Sequence, residues 1–156
     1  MSRKSYLFEK IVLGGTFDRI HPGHIFLLKT AFSLSKNVTI GLTSKEYLTK
    51  YPKKIHPGKI YPYNFRLNQL VALLHKLEFK QYKIVAITHP YGVAHLENFE
   101  AIVTTEETSV IIPEINTQRK SRNLRPLIAI ILPMIYSNDG EAISSSKIRE
   151  KEKINF

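Results

Sequence analysis

Five short apolar runs rich in Val and Ile, separated by segments of helical periodicity, predict an α/β fold: a Rossmann-like, three-layer α/β/α arrangement around a parallel sheet of about five strands. Three observations carry that reading. The strand candidates are continuously apolar rather than alternating, as strands buried on both faces are. Helical segments lie between them, which crossovers joining parallel strands require. A chain of 156 residues with 43% hydrophobic content is long enough to bury one core, so residues 1–156 read as a single domain.

The elements follow in order. "KIVLGG" at 10–15 is a β-branched strand stopped by two glycines. "HIFLLKTAFSLS" at 24–35 is apolar nearly all round, as a helix packed on a sheet is. "NVTIGLTS" at 37–44 is the second strand, and Pro and Lys then dominate 50–62, an exposed loop. In "YNFRLNQLVALLHKLEF" at 63–79, Phe65, Leu67, Leu70, Val71, Leu74 and Leu77 fall near helical spacing, which predicts an amphipathic helix. "YKIVAIT" at 82–88 and "AIVTT" at 101–105 are strands three and four. "EINTQRKSRNL" at 114–124 is helical, "LIAIILP" at 127–133 is the fifth strand, and "SSSKIREK" at 144–151 opens a last helix. Ligands of such sheets bind beyond the carboxyl ends of the strands, which directs attention to the loops after strands one, three, four and five.

Composition bounds the function. No apolar run approaches the roughly 20 residues of a membrane helix. The first residues lack the apolar segment and cleavage site of a signal peptide. With no cysteine, disulfides, thiolate zinc sites and a cysteine nucleophile are excluded. A cytoplasmic enzyme or binding protein, free or as a homo-oligomer, is the expectation. Lys and Arg number 23 against 13 Asp and Glu, a formal charge of +10, so the partners are anionic. The bases cluster at 45–59, 119–125 and 147–153, with no aromatic-interleaved RNA-binding signature and no zinc finger. Basic loops converging on a small polyphosphate give the same composition as a nucleic-acid binder, and charge alone does not choose.

The tetrapeptide "IHPG" occurs at 20–23 and again at 55–58. The first copy follows a strand and "GGTFD" and leads into a helix. Gly14 and Gly15 permit a sharp turn and close approach of an anion. His21 and His24 flank a helix start at Gly23, where free amides and the positive end of the dipole favour phosphate. The second copy lies in a Pro- and Lys-rich loop without a second His, so His56 reads as a turn residue. No GxxxxGK[ST] or GxGxxG is present, and no third ligand completes a metal site with the two histidines, so no protein-held metal is expected.

In this context "GGTFDRIHPGH" resembles the signature of the nucleotidyltransferase superfamily, which carries T/HxGH after its first strand. Further segments narrow the likeness to phosphopantetheine adenylyltransferases of the archaeal and eukaryotic type. "HPYGVAH…AIVTTEET" resembles their "DPYGPA…VVSEET", "INTQRKSRNLRPL" their "INxxRxxRGLxPL", and "NDGEAISSSKIR" their "EDGxxISSTxIR". The resemblance runs from Val12 to Arg149. It implies transfer of an adenylyl group from ATP to 4′-phosphopantetheine, giving dephospho-coenzyme A and pyrophosphate, with Mg2+ accompanying the ATP and no nucleic-acid or membrane partner.

The resemblance also implies roles. His24 contacts the α-phosphate and His21 holds the triphosphate. Thr16 and Phe17 orient the acceptor, while Gly14, Gly15 and Gly23 line the nucleotide. Lys50 is preferred over Lys45 as the lysine that meets the acceptor phosphate, with Lys53 and Lys54 as alternatives. Asn116, Arg119 and Arg122 belong to the family's helix, and the two arginines, three apart, are placed to fork onto phosphate. Asn123 stands where the family has Gly, and Asn tolerates the left-handed conformation a helix end needs. Ser144, Ser145 and Ser146 grip the β- and γ-phosphates or cap a helix, with Lys147 or Arg149 adding charge. Glu106 lines the acceptor or nucleotide site, and Tyr91 and Gly92 meet either the pantetheine arm or the adenine. Asp18 either braces its loop or acts on substrate. The nearest rival is another member of the superfamily, an FAD synthetase or a glycerol-3-phosphate cytidylyltransferase, but their "RTxGISTT"-like segment is missing here.

Overall fold

The structure, a computed structural model, describes residues 5–52 and 59–154. Its five strands are β1 (Phe8–Gly15), β2 (Ser35–Thr43), β3 (Tyr82–Ile87), β4 (Ala101–Thr105) and β5 (Ile128–Leu132). All pair in parallel, in the order β3-β2-β1-β4-β5. The helices are α1 (Pro22–Leu34), α2 (Lys45–Lys50), α3 (Tyr63–Lys76), α4 (Ile112–Ser121) and α5 (Ser145–Ile154). This is the doubly wound arrangement the sequence predicts.

Right-handed crossovers place α1 and α3 on one face, since β1, β2 and β3 step in one direction. There Leu27, Leu28, Ala31 and Phe32 of α1 and Leu70 and Leu74 of α3 pack on Ile11, Leu13, Val38 and Ile40. From β3 the chain reverses to β4, so residues 88–100 and α4 cover the other face, burying Ala94, Phe99 and Ile115 against Val12. The order therefore reverses between β1 and β4, and the crevice at their carboxyl ends is the place for a ligand. Burial is complete only in the middle. Ile11–Leu13 of β1 and Val38–Thr43 of β2 are buried, whereas β5 is an edge strand whose Ile128 and Ile131 stay 54% and 47% exposed.

Two details differ from the sequence reading. The residues after β2 form a short helix, α2, capped by Ser44, whose hydroxyl accepts from Tyr47 N at 3.0 Å. In α3 the buried stripe is Arg66, Leu70 and Leu74, spaced by four, while Phe65 and Val71 are exposed. An arginine occupies a core position because α3 leans on polar main chain rather than apolar side chains there. Asn123 bears out its expectation: at φ +60° it ends α4, and Leu124 N donates to Arg119 O at 2.9 Å.

The structure corrects the reading of Asn116, Arg119 and Arg122. A crossover helix runs antiparallel to its strands, so the far end of α4 lies at their amino edge, away from the crevice. Arg119, 1% exposed, donates to four carbonyls: Ala94 O and Glu97 O at 2.7 Å, Phe99 O at 2.9 Å and Arg125 O at 2.7 Å. Asn116 accepts from Leu127 N at 2.8 Å, fastening α4 to the start of β5. Arg122 is exposed and bonds Gln118. Asn116 and Arg119 are thus committed to the protein's own backbone, while Arg122 stays exposed within electrostatic reach of His95. Arg119→Ala should therefore lower stability by about 3 kcal/mol, since several buried carbonyls lose a charged donor, while ligand binding by the folded fraction stays unchanged. Denaturant unfolding checks the first part, and a loss below about 0.5 kcal/mol contradicts it.

Candidate active site

The loop after β1 is built around rings. Phe17 sits at φ +49°, a conformation costing about 1–3 kcal/mol for a residue other than Gly, and is held there by burial at 1% exposure. Its ring lies 4.9 Å from that of His24 and under Gly15, where a Cβ would meet it at 3.0 Å. Gly15 is thus small because an aromatic ring occupies its side. Phe17 shapes the loop from within; its side chain is not presented to a ligand.

His21 is the N-cap of α1. Its Nδ1 accepts from Gly23 N at 3.1 Å, and His24 Nδ1 accepts from His21 N at 3.3 Å, a capping box made of two imidazoles. A ring nitrogen that accepts carries no proton, so each neutral ring holds its proton on Nε2. Neutrality is enforced by the surroundings. Burial lowers the His21 pKa, and burial first, then the neighbouring His21, pushes His24 down to about 3. The rings lie 3.9 Å apart, so a charge on either would repel the other. The outcome is two adjacent N–H donors with no net charge.

The expectation of free amides at the start of α1 is corrected. Pro22 has no N–H, Gly23 N is taken by His21 Nδ1, and His24 N and Ile25 N both donate to His21 O, at 3.0 and 3.2 Å. The side-chain donors left at the start of α1 are the two imidazole Nε2–H groups. Gly23 has a second duty, because a Cβ there would lie 2.8 Å from His21 Cε1.

Around this loop the other segments close in. Thr43 Oγ1 donates to Thr16 Oγ1 at 3.1 Å, so the Thr16 hydroxyl accepts there and keeps its own proton to donate. Arg66 Nη1 donates to Thr16 O at 3.0 Å and Arg66 Nε to Tyr61 O at 2.8 Å. Sequence reasoning missed Arg66; its signal was a charge spaced by four from Leu70 and by eight from Leu74 on the inner face of α3. Asp18, with no exposed side-chain surface, accepts from Arg149 Nη1 at 2.5 Å, Arg19 Nη1 at 2.9 Å and Tyr61 N at 2.8 Å. It braces the loop.

Ser144 caps α5 by accepting from Lys147 N at 3.2 Å, and Ser145 Oγ is occupied by Arg19, donating to its O at 3.0 Å and accepting from its N at 3.2 Å. Both hydroxyls are engaged within the protein, and of Ser146 only the helical backbone is described. Arg149 is turned inward to Asp18 and is not offered to a ligand. Tyr91 and Gly92 lie in the turn beyond β3, where Tyr91 Oη donates to Glu114 Oε2 at 3.1 Å; Glu106 is exposed beyond β4. These loops and the exposed α2 residues Lys45 and Lys50 all stand at the carboxyl edge. Lys50 at the end of α2 reaches over Tyr51, whereas Lys45 begins the helix directly after β2. Lys53, Lys54 and the second "IHPG" with His56 lie outside the described residues.

The histidine pair makes a prediction of its own. In the unfolded chain His24 takes up a proton near pH 6.5, whereas folded it resists until about pH 3. The unfolded state binds more protons between those values, so stability is full above pH 6.5 and declines as pH falls through that window. His24→Gln should flatten the fall in melting temperature from pH 7 to pH 4.5. An unchanged slope refutes this neutral, buried state.

A family model described as cytidylyltransferase-like matches residues 12–151. The chain is 43% identical over 143 residues to a phosphopantetheine adenylyltransferase of Pyrococcus abyssi, covering 91% of this chain and 89% of that one. It is 37% identical over 153 residues to the enzyme so named from Methanothermobacter thermautotrophicus, covering 97% and 88%. Among solved structures, an Archaeoglobus fulgidus protein of unknown function shares 28% identity with a TM-score of 0.70, over 79% of this chain and 88% of that one. A bifunctional NMN adenylyltransferase/ADP ribose pyrophosphatase from Francisella tularensis, 15% identical with a TM-score of 0.63 over 96% of this chain and 43% of that one, shares the fold. On a match spanning nearly its whole length, the chain belongs to the cytidylyltransferase-like family and, within it, to the phosphopantetheine adenylyltransferases.

Proposed function

We propose that this chain transfers the adenylyl group of ATP to 4′-phosphopantetheine, yielding dephospho-coenzyme A and pyrophosphate. The observation that carries the chemistry is the pair of neutral, Nε2-protonated imidazoles at the switch point; the names of the relatives supply the acceptor. An oxygen of the acceptor phosphate attacks the α-phosphorus, and the bond from that phosphorus to the bridging oxygen breaks, releasing pyrophosphate. The nucleophile is already an anion near neutral pH, so no protein base is needed. Catalysis consists of holding two polyanions in line and stabilising charge on the transferring group.

His24 Nε2–H is the donor for the α-phosphate oxygen, and His21 Nε2–H stands beside it for the triphosphate. The Thr16 hydroxyl, which accepts from Thr43 and keeps its proton, is the donor for the acceptor phosphate. The amino end of α5 supplies dipole and amides to the distal phosphates. Lys45 and Lys50 supply mobile cations from α2. Magnesium comes with the ATP. Asp18, the one carboxylate of the loop, is saturated by Arg149, Arg19 and Tyr61, and among the described residues no group of three His, Asp or Glu can hold a metal. The described residues thus do not fit a protein-held cation, and the nucleotide's own oxygens are its ligands. No described helix is long and apolar enough to cross a membrane.

Pure protein with ATP and magnesium, offered phosphopantetheine, FMN, nicotinamide mononucleotide or glycerol 3-phosphate, should release pyrophosphate with phosphopantetheine alone. Release with a different acceptor and not with phosphopantetheine refutes the assignment. His24→Ala should lower kcat by about 10²–10³ with ATP affinity changed only a few-fold, and His56→Ala should leave both constants near wild type. Steady-state kinetics with ATP and acceptor varied separately reads both variants.

A further inference from the structure

Two structures that bind phosphate in this reading belong to distant parts of the chain: the histidine loop after β1 and the amino end of α5. We propose that Asp18 is the positioning residue that joins them into one site, by clasping Arg149 and so seating α5 against the histidine loop. The inference rests on the adenylyl-transfer reading for what the joined site binds.

The bond from Arg149 Nη1 to Asp18 Oδ2 spans 131 residues and is buried on both sides, with side-chain exposures of 1% and 0%. Arg149 lies four residues after Ser145, so both face the same side of α5. Ser145 Oγ exchanges two hydrogen bonds with the main chain of Arg19, next to Asp18. The helix is thus docked at two points one turn apart, one neutral and one ionic. Its other hydrogen-bond donors are Arg19 Nη1 and Tyr61 N, both on Oδ1, and the Arg66 guanidinium adds an attractive charge. All its bonds run to protein, so Asp18 acts on a ligand only through what it holds. Its charge is needed for that. A buried guanidinium deprived of its buried carboxylate is a strongly unfavourable state, and α5, with Arg149 drawn instead toward the more exposed charge of Glu152, would move toward water, taking its amino end with it. A second strap, Arg19 to Glu152 at 3.0 Å, ties the same helix from a more exposed position, with Glu152 41% exposed.

The test uses ATP and inorganic pyrophosphate as probes, by calorimetry on the full chain, because neither needs the acceptor. Asp18→Asn keeps the shape and removes the charge. It should weaken binding of both probes tenfold or more and raise KM for ATP far more than it lowers kcat. Asp18→Asn/Arg149→Met should bind no worse than the weaker single variant, since the two residues act as one device. Glu152→Gln should stay within twofold of wild type. A folded Asp18→Asn that binds both probes within twofold of wild type, or losses that add in the double variant, or a Glu152→Gln as weak as Asp18→Asn, overturns the proposal. Should Asp18→Asn fail to fold, Arg149→Met, which removes the other charge of the pair, carries the same expectation, and unaltered binding overturns it equally. Turnover of another acceptor with these binding losses intact sinks the acceptor assignment alone; phosphopantetheine turnover with binding unmoved sinks the clasp alone.

Discussion

A carboxylate with no surface in water has to be matched by charge and hydrogen bonds from the protein, and at Asp18 that requirement decides where three parts of the chain meet. Arg149 comes from α5, Tyr61 N from the segment that enters α3, and Arg19 from the loop itself. Tyr61 O, one atom group away, is held in turn by Arg66, which also holds Thr16 O. The positions of the histidines, of Thr16 and of the start of α5 therefore follow from one buried network. Without it the sheet would still form, because its core is apolar and separate. The crevice would be a set of independent loops.

What that network presents to a ligand is uncharged at its centre. Two imidazoles that cap a helix with their Nδ1 atoms cannot also protonate there without breaking the cap, and burial opposes the charge as well. The cap thus performs two jobs with one set of bonds: it ends the helix, and it fixes which nitrogen carries the proton. A lysine in the same place would bring more charge but no fixed direction. For a transfer in which charge shifts among phosphate oxygens, fixed donors lose less by reorganising.

Much of this was legible in the sequence. Continuous apolar runs gave the parallel sheet, because strands covered on both faces have no polar side to show. The strand, Gly-Gly and His-x-x-His succession marked the first loop, because few other uses put two histidines around a helix start. Asn123 declared the end of α4 through its tolerance of positive φ. The failures share one physical cause. Sequence spacing tells which residues share a helix face, not whether that face looks toward water, the core or the wrong edge of the sheet. Arg119 and Arg122 were spaced for phosphate, yet α4 carries them to the amino edge, where Arg119 serves four carbonyls. Arg149 reads in the sequence as added charge for the phosphates and Arg66 carries no assigned role, yet long-range packing buries both. The serines of "ISSS" read as phosphate grips or helix caps: Ser144 caps α5, and the Ser145 hydroxyl fastens the helix to Arg19.

These placements change the meaning of the formal +10. Three arginines, 66, 119 and 149, are among the largest fully buried side chains of the molecule, and each is directed to carbonyls, hydroxyls or a carboxylate within it. Burial does not remove the long-range field of Arg66 and Arg119, which are paired mainly with neutral oxygens, but it removes their contact with any ligand. Arg19 and Arg149 are offset by Asp18 and Glu152. Among the described residues the cations open to solvent at the carboxyl edge include Lys45 and Lys50. Rim charges act through water and are screened over about 8 Å at physiological salt, so they speed the approach of an anion more than they hold it. In the proposed reaction, retention is the task of the fixed, neutral donors inside. The basic composition that first suggested a nucleic-acid binder is better explained as two separate uses of positive charge, one folding the loops around Asp18 and one drawing polyanions to them.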